Sequence, residues 1–214
     1  MKREHDSVPS PSRHECYRMM AAMAMLPHIA AHSIQVCRVA LWLCDALGQG
    51  SGTVLNRDLV RAGGLLHDIT KTRSFETGED HARTGQTHLI EAGFPEVGGI
   101  VAQHVVLDAF DDGAPLQEAE LINYADKRVM HDRIVSMPSR MAYIVERYGT
   151  TPERQERLRL LWRETERLEI KIFAGLTVAP DEIEPLLGPD GLASAMHEFA
   201  VCAARAGATP SEKH

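Results

Sequence analysis

Apolar residues along this chain recur at intervals of three and four, and nowhere do they alternate strictly enough to mark a strand, so the pattern predicts helices throughout. Residues 17–26 form a Met- and Ala-rich helical stretch that breaks at Pro27. Across residues 28–47, apolar positions at Ile29, Ile34, Val36, Val39, Ala40, Leu43 and Leu47 predict a helix largely buried in a bundle. A glycine-rich turn at 48–52 follows, and the period resumes over 56–67 with Asn56 as N-cap and Leu59, Val60, Ala62, Leu65 and Leu66 inward. Residues 71–80 are broken up by Thr, Ser and Gly and predict a loop. A helix then opens near Glu79 or Asp80 and runs to Glu91, where Gly93 stops it. Pro95 starts another helix through Val106, a polar turn covers 108–115, and 116–136 reads as one continuous helix. Residues 139–148, 152–173, 180–187 and 192–206 complete the series, the longest carrying Leu158, Leu161, Trp162, Thr165, Leu168 and Ile172 on one stripe. The fold class is therefore all-α, a helical bundle.

Composition agrees. A chain of 214 residues with 44% hydrophobic and 25% charged residues is of ordinary globular make-up and long enough to bury a sizeable core. Low aromatic content beside abundant Ala, Leu and Met favours helix over sheet. The expected organisation is a flexible polar arm at 1–15, a single helical domain at 16–206 and a disordered tail at 207–214. With 30 acidic against 23 basic residues, net charge −7 and no Lys/Arg block, a nonspecific nucleic-acid surface and an anionic-membrane surface are excluded. Cys16, Cys37, Cys44 and Cys202 show no CxxC spacing and read as reduced core residues. Together with the absence of a long apolar segment, this predicts a cytoplasmic protein without a membrane span.

The chemistry concentrates in Gly63-Gly64-Leu65-Leu66-His67-Asp68-Ile69-Thr70-Lys71, an apolar run that ends in an imidazole, a carboxylate and an amine. Adjacent residues on a helix point about 100° apart, so His67 and Asp68 share one metal only where the helix ends or loosens, or where the carboxylate bridges two ions. Eleven histidines are many for this length, and their placement is the main functional signal. In order come His32, the His67-Asp68 pair, His81, His104 and Asp126, on separate predicted helices. Imidazole and carboxylate together suit zinc, iron, manganese or nickel.

The segments HSIQVCRVA, GGLLHDITK, EDHARTG, VAQHVV and INYADKRV, spread over residues 27–130, resemble the HD-domain metal-dependent phosphohydrolase superfamily in its binuclear, six-ligand form. The resemblance implies an HD-type helical bundle whose metal site lies within 27–130, with C-terminal helices at 137–206 outside it. It also implies two divalent transition-metal ions, iron or manganese first, with nickel, zinc and magnesium as alternatives. One ion would take His32, His67 and Asp126, the other His81 and His104, with Asp68 shared between them. A water bridging the ions, its pKa lowered from about 15.7 towards about 7, would be the hydroxide nucleophile. Two divalent ions outweigh the two carboxylates, so the site attracts phosphate although the protein is acidic. Lys71 is the family's following lysine and is expected to meet the phosphate or the leaving oxygen, with Arg73 and Arg128 as further phosphate contacts.

Other histidines test the reading. His131-Asp132 and His5-Asp6 are also HD dipeptides, but the first comes only five residues after Asp126 with no late helical Asp downstream and the second sits in the flexible arm, so both read as solvent-facing. His88 lies two turns from His81, about 10 Å along the helix, too far for one cluster. His28 precedes His32 by four, where some cyclic-dinucleotide phosphodiesterases of the superfamily carry an extra Glu ligand; Val105 stands where those enzymes have a second His, which argues against a third metal.

The first functional expectation is a phosphohydrolase acting on a phosphate ester or anhydride of a nucleotide or similar small molecule. A mixed-valent diiron oxygenase of the same superfamily uses nearly the same ligands and is the alternative, with a non-catalytic metal- or nucleotide-binding regulatory module as the third reading. The C-terminal helices have three roles open to them: bundle packing, cover over the site, or a homodimer face.

Overall fold

The computed structural model describes residues 8–205, and apart from one two-stranded hairpin its regular structure is helical. The first seven residues of the expected arm, the His5-Asp6 pair and the 207–214 tail lie outside the described residues. Helix α1 (Arg13–Ala22) starts within the stretch assigned to the arm, because Ser12 and Glu15 form a capping box there. Helix α2 (Pro27–Gly50) opens on a proline whose ring presets the helical φ, and buries Ile34, Val36, Val39, Ala40, Leu43 and Leu47. It is the central element, packed by α3 (Arg57–Leu66), α7 (Glu118–Lys127), α10 (Ile183–Leu187) and α11 (Asp190–Arg205). As expected, the Asn56 side chain caps α3, accepting from the backbone N–H groups of Asp58 and Leu59.

Two expectations are corrected. Residues 71–77 are not a loop but a short helix, α4 (Lys71–Thr77), held by the Ser74 hydroxyl donating to Lys71 O and closed by Gly78 at φ 70°. The run 116–136 is not one helix. Helix α7 ends at Lys127, and Val129–Met130 (β1) pairs antiparallel with Arg133–Ile134 (β2) around a turn in which His131 sits at φ 58°. Arg128 breaks the helix here by donating through Nε to Val135 O, across the hairpin.

Helix α5 (His81–Glu91), capped by Asp80, and α6 (Pro95–Ala102) pack against each other. Helix α8 (Met137–Tyr148) follows the hairpin and α9 (Pro152–Phe173) follows α8. The stripe on α9 buries only in its second half, at Thr165, Leu168 and Ile172. Buried ties hold that half to α7: Lys171 Nζ lies 2.7 Å from Glu120 Oε1, and the Tyr124 hydroxyl donates to Glu169 at 2.6 Å. A single apolar cluster extends from Cys16 to Ala203. Among the described residues the four cysteines are buried and unbridged, and no helix is long and apolar enough to cross a membrane.

The paired glycines of α3 serve close approach. A Cβ on Gly64 would stand 2.7 Å from Cys37 Cα, and one on Gly63 would stand 2.8 Å from the Ile100 side chain. Since the obstacle at Gly64 is backbone, Gly64→Ala must push α3 off α2. The expected loss is about 1–3 kcal/mol in urea unfolding, whereas Gly99→Ala, where a Cβ meets nothing within 4 Å, should be neutral or stabilising.

Candidate metal centre

The chain brings all six predicted ligands to one point, from five separate elements. His67 and Asp68 stand just past the end of α3, where the backbone tightens: Ile69 N–H donates to Leu66 O and Lys71 N–H to Asp68 O, both at 3.0 Å. These i to i+3 bonds tighten the turn that follows α3, while His67 itself keeps helical dihedrals of φ −57° and ψ −34°. His32 comes from the second turn of α2, His81 from the first residue of α5, His104 from just beyond α6 and Asp126 from the last turn of α7.

Asp68 lies between two groups of donors. Its Oδ2 is 3.5 Å from His67 Nε2, and its Oδ1 is 3.3 Å from His81 Nε2 and 3.4 Å from His104 Nε2. Asp126 Oδ1 lies 2.9 Å from His32 Nε2 and 3.7 Å from His67 Nε2. Two overlapping trios result that could hold metal ions, His32–His67–Asp68 and Asp68–His81–His104, with Asp68 in both.

Backbone carbonyls orient the imidazoles. The Nδ1–H groups of His67, His104 and His32 donate to Gly64 O (2.9 Å), Val101 O (2.7 Å) and His131 O (2.8 Å). With Nδ1 protonated, each Nε2 carries a lone pair turned into the centre. His67 Nε2 and Asp68 Oδ1 are buried there without any hydrogen-bond partner. Buried lone pairs converging without donors are costly unless a cation joins them, so this donor set fits a divalent metal.

Electrostatics agree in direction. Burial pushes the Asp68 carboxyl up, but the surrounding His67, Lys71 and His104 side chains outweigh it and hold the group well below the usual carboxylate range. Asp126 behaves likewise, with burial opposed mainly by His32 and His67. Lys71 Nζ sits 2.8 Å from Asp68 Oδ2; burial pulls it down, while Asp68 and Asp126 more than restore it. The centre opens on one side, where the side chains of Lys71, His81 and Asp126 keep 32%, 24% and 16% exposure against 0% for His67.

Not every predicted contact arrives. Arg128 is corrected outright: it is buried, and its guanidinium donates to Val135 O, the Tyr124 hydroxyl and Pro180 O beside Glu169, tying α7 to α9. Arg73 is half-exposed and paired with Glu79 at 2.6 Å rather than with a member of the centre. His28 is exposed and His88 half-buried, and neither belongs to the ligand trios. The His131 side chain faces solvent as expected, but its carbonyl holds His32.

Three supporting residues were missed. Buried Lys127 donates to His104 O, Val105 O, Asn123 O and Asn123 Oδ1 at 2.7–3.3 Å, fixing the segment that carries His104. The Thr70 hydroxyl donates to His81 O at 2.8 Å and so sets the start of α5. Asn123 Nδ2 donates to Gln103 O. Polar residues on an otherwise buried helix face were the available signal for Asn123 and Lys127.

A groove of about 570 Å³ lies next to the segment after His104, lined by Val105, Val106, Tyr148, Leu158, Leu161 and Arg154 among others. None of the six candidate ligands lines it; its nearest link to them along the chain is Val105, which follows His104.

A helical bundle that converges four imidazoles and two carboxylates around buried, donor-less lone pairs defines a class: a protein built to take divalent metal. Residues 29–130 match the HD domain family. A dihydroneopterin 2′,3′-cyclic phosphate phosphodiesterase of Methanocaldococcus jannaschii is 34% identical over 113 residues, covering 45% of this chain and 43% of that protein. A second protein of that organism, described as uncharacterized, is 30% identical over 110 residues, covering 49% of this chain and 63% of its own length. The chain thus spans less than two thirds of either relative. No solved structure matches it.

Lys127 gives the centre's scaffold a pH signature. Burial pulls its ammonium from 10.5 down to about 8, against the charges of Asp126 and Glu164. Between those values the unfolded chain binds the extra proton, so stability contributed at this position rises with pH across the window. Relative to Lys127→Met, the metal-free wild type should gain about 3 kcal/mol of unfolding free energy from the lower to the upper end of that range. A flat difference in urea titrations would show that the lysine is not charged-and-penalised in the fold.

Proposed function

We propose that this chain is a metal-dependent phosphohydrolase that cleaves a phosphate ester of a nucleotide-like small molecule, with two divalent ions held by His32, His67, Asp68, His81, His104 and Asp126. One observation carries the reading: Asp68 turns its two oxygens to two different groups of imidazoles, as a carboxylate shared between two ions must. Bound there, divalent ions would lower the pKa of a water towards about 7 and draw charge from the phosphoryl oxygens. The chain's own residues do the rest. Carbonyls of Gly64, Val101 and His131 keep three imidazoles in the ligating tautomer, and Lys71 holds its charge at the open edge, where a phosphate oxygen or leaving alkoxide arrives.

The similarity to a protein named as a cyclic phosphate phosphodiesterase supports hydrolysis of a diester over oxygenase chemistry, and supports an organic group that carries a ring. The groove beside Val105 has the size and apolar walls for such a group, with the Tyr148 ring on one side.

Metal analysis of purified wild type should find two ions per chain, with metal-dependent phosphoester cleavage in oxygen-free buffer. Activity that requires oxygen would transfer the assignment to the oxygenase, and one ion per chain would demote His81 and His104. Asp68→Ala should lose bound metal and at least about 10³-fold in kcat/KM, as expected for removal of a group that stabilises the transition state. Leu161→Trp, which fills the groove, should raise KM for a nucleoside 2′,3′-cyclic phosphate about tenfold while sparing kcat; an unchanged KM would remove the groove from substrate recognition.

A further inference from the structure

Helix α4 starts at the open edge of the metal centre with Lys71, and none of its residues is buried. Its hydroxyls and its arginine are engaged. Thr72 Oγ1 accepts the Leu26 N–H at 3.1 Å, Arg73 pairs with Glu79, and the hydroxyls of Ser74 and Thr77 donate back to Lys71 O and Arg73 O. Phe75 is not engaged. It is 62% exposed, outside the apolar cluster against which Phe94, Phe110, Phe173, Trp42 and Trp162 pack. One other Phe, Tyr or Trp among the described residues is exposed: Tyr148, at 53%, which lines the groove beside Val105.

An exposed phenylalanine carries no meaning by itself; its position does. Residues four apart on a helix share a face, with Cβ atoms about 5–6 Å apart, so Phe75 stands one turn behind Lys71. A helical side chain also leans over the turn N-terminal to its own Cα, which for Phe75 is the turn that begins with Lys71. Lys71 Nζ in turn lies 2.8 Å from Asp68 Oδ2. The chain therefore sets an uncovered ring next to the cation that a leaving oxygen would meet. Phe75 does not line the groove beside Val105, so ring and groove are two separate apolar surfaces.

We propose that Phe75 is the stacking platform for the leaving group, and that the substrate class includes linear phosphodiesters with a ring on each side of the phosphorus. The inference rests on the phosphohydrolase reading and extends it from one organic group to two. A nucleoside 2′,3′-cyclic phosphate has one: its leaving oxygen stays on the same ribose, and the groove is enough for it. In a linear diester the oxygen of water bonds to phosphorus while the bond to the leaving oxygen breaks. That oxygen keeps the electron pair and takes a proton, so water and diester give a monoester and an alcohol. The departing oxygen leaves in line with the attack, away from the retained ester, and a ring carried on it needs a surface of its own. A flat exposed ring serves any base, since every base has a π-face.

Mn(II)-loaded protein is assayed on thymidylyl-thymidine, a linear dinucleoside monophosphate, and in parallel on a nucleoside 2′,3′-cyclic phosphate. Wild type should cleave both. Phe75→Ala should raise KM for the dinucleotide about tenfold, the usual loss of one base–aromatic stack, while sparing kcat and leaving KM for the cyclic ester unchanged. Phe75→Tyr, which keeps the ring, should restore the dinucleotide KM. Metal content and helical circular dichroism should stay as in wild type, because the ring is exposed; should Phe75→Ala lose either, Phe75→Leu, apolar but ringless, decides by the same comparison. A dinucleotide KM unaltered in the ringless variant, an equal rise for both esters, or a wild type that cleaves the cyclic ester and not the dinucleotide overturns the proposal. Wild type that cleaves neither ester sinks the hydrolase reading, and calorimetric titration with the same dinucleotide then decides the platform. Binding about tenfold weaker in Phe75→Ala keeps it; equal binding, or none in wild type, removes it.

Discussion

Asp68 keeps 1% of its surface exposed, and a carboxylate that far out of water must be surrounded by charge or donors. Much of the centre follows from that one requirement. Lys71 answers it on one oxygen; the Nε2 atoms of His67, His81 and His104 crowd both. Two of those imidazoles have their Nδ1–H committed to carbonyls, so they meet the carboxylate with lone pairs rather than protons. This arrangement is poor for an isolated protein and good for one that takes up cations, and the donor-less His67 Nε2 and Asp68 Oδ1 make the same point atom by atom.

The carbonyls explain why the histidines stand where they do. Helices leave the carbonyls of their last turn without intrahelical partners. His67 follows the end of α3 and takes Gly64 O; His104 follows the end of α6 and takes Val101 O. Each reaches back three residues to a group that needs a donor, so one hydrogen bond both finishes the helix and fixes the tautomer. His32 sits in the second turn of α2, inside the helix, where the neighbouring carbonyls accept intrahelical bonds. It borrows one from the hairpin, and His131 adopts φ 58° in the turn that delivers it. The hairpin interrupting an all-helical chain is thus matched to the one imidazole with no helix end of its own.

Helix content and ligand identity were legible because both are periodic or ordinal properties: apolar residues at helical spacing, and His, His-Asp, His, His, Asp in order along the chain. The end of α7 was not, because helical propensity continues past Lys127 and the break is made by a tertiary bond from Arg128 to Val135. Arg128 misled twice for one reason: charge near a predicted phosphate site carries no information on direction, and its partners come from residues 124, 135, 169 and 180. Residues 71–77 looked irregular because Thr and Ser disfavour helix interiors, yet Ser74 is turned back onto Lys71 O and supports the turn. The Gly63-Gly64 pair serves close packing, since a Cβ at either position would stand only 2.7–2.8 Å from its neighbour.

Net charge of −7 is no obstacle to an anionic substrate at such a centre. Exposed charges lose influence beyond about 8–10 Å at physiological salt, whereas groups at a partly buried edge do not. What matters is which cations near the opening remain uncommitted. Lys127 and Arg128, beside Asp126 in sequence, are both consumed by structure: one fixes the His104 segment, the other binds α7 to α9. Lys71 is placed differently: it lies on the shared carboxylate and keeps 32% of its side chain exposed at the open edge, so the one basic group at the opening is held by the centre's own charge rather than by the packing of the bundle.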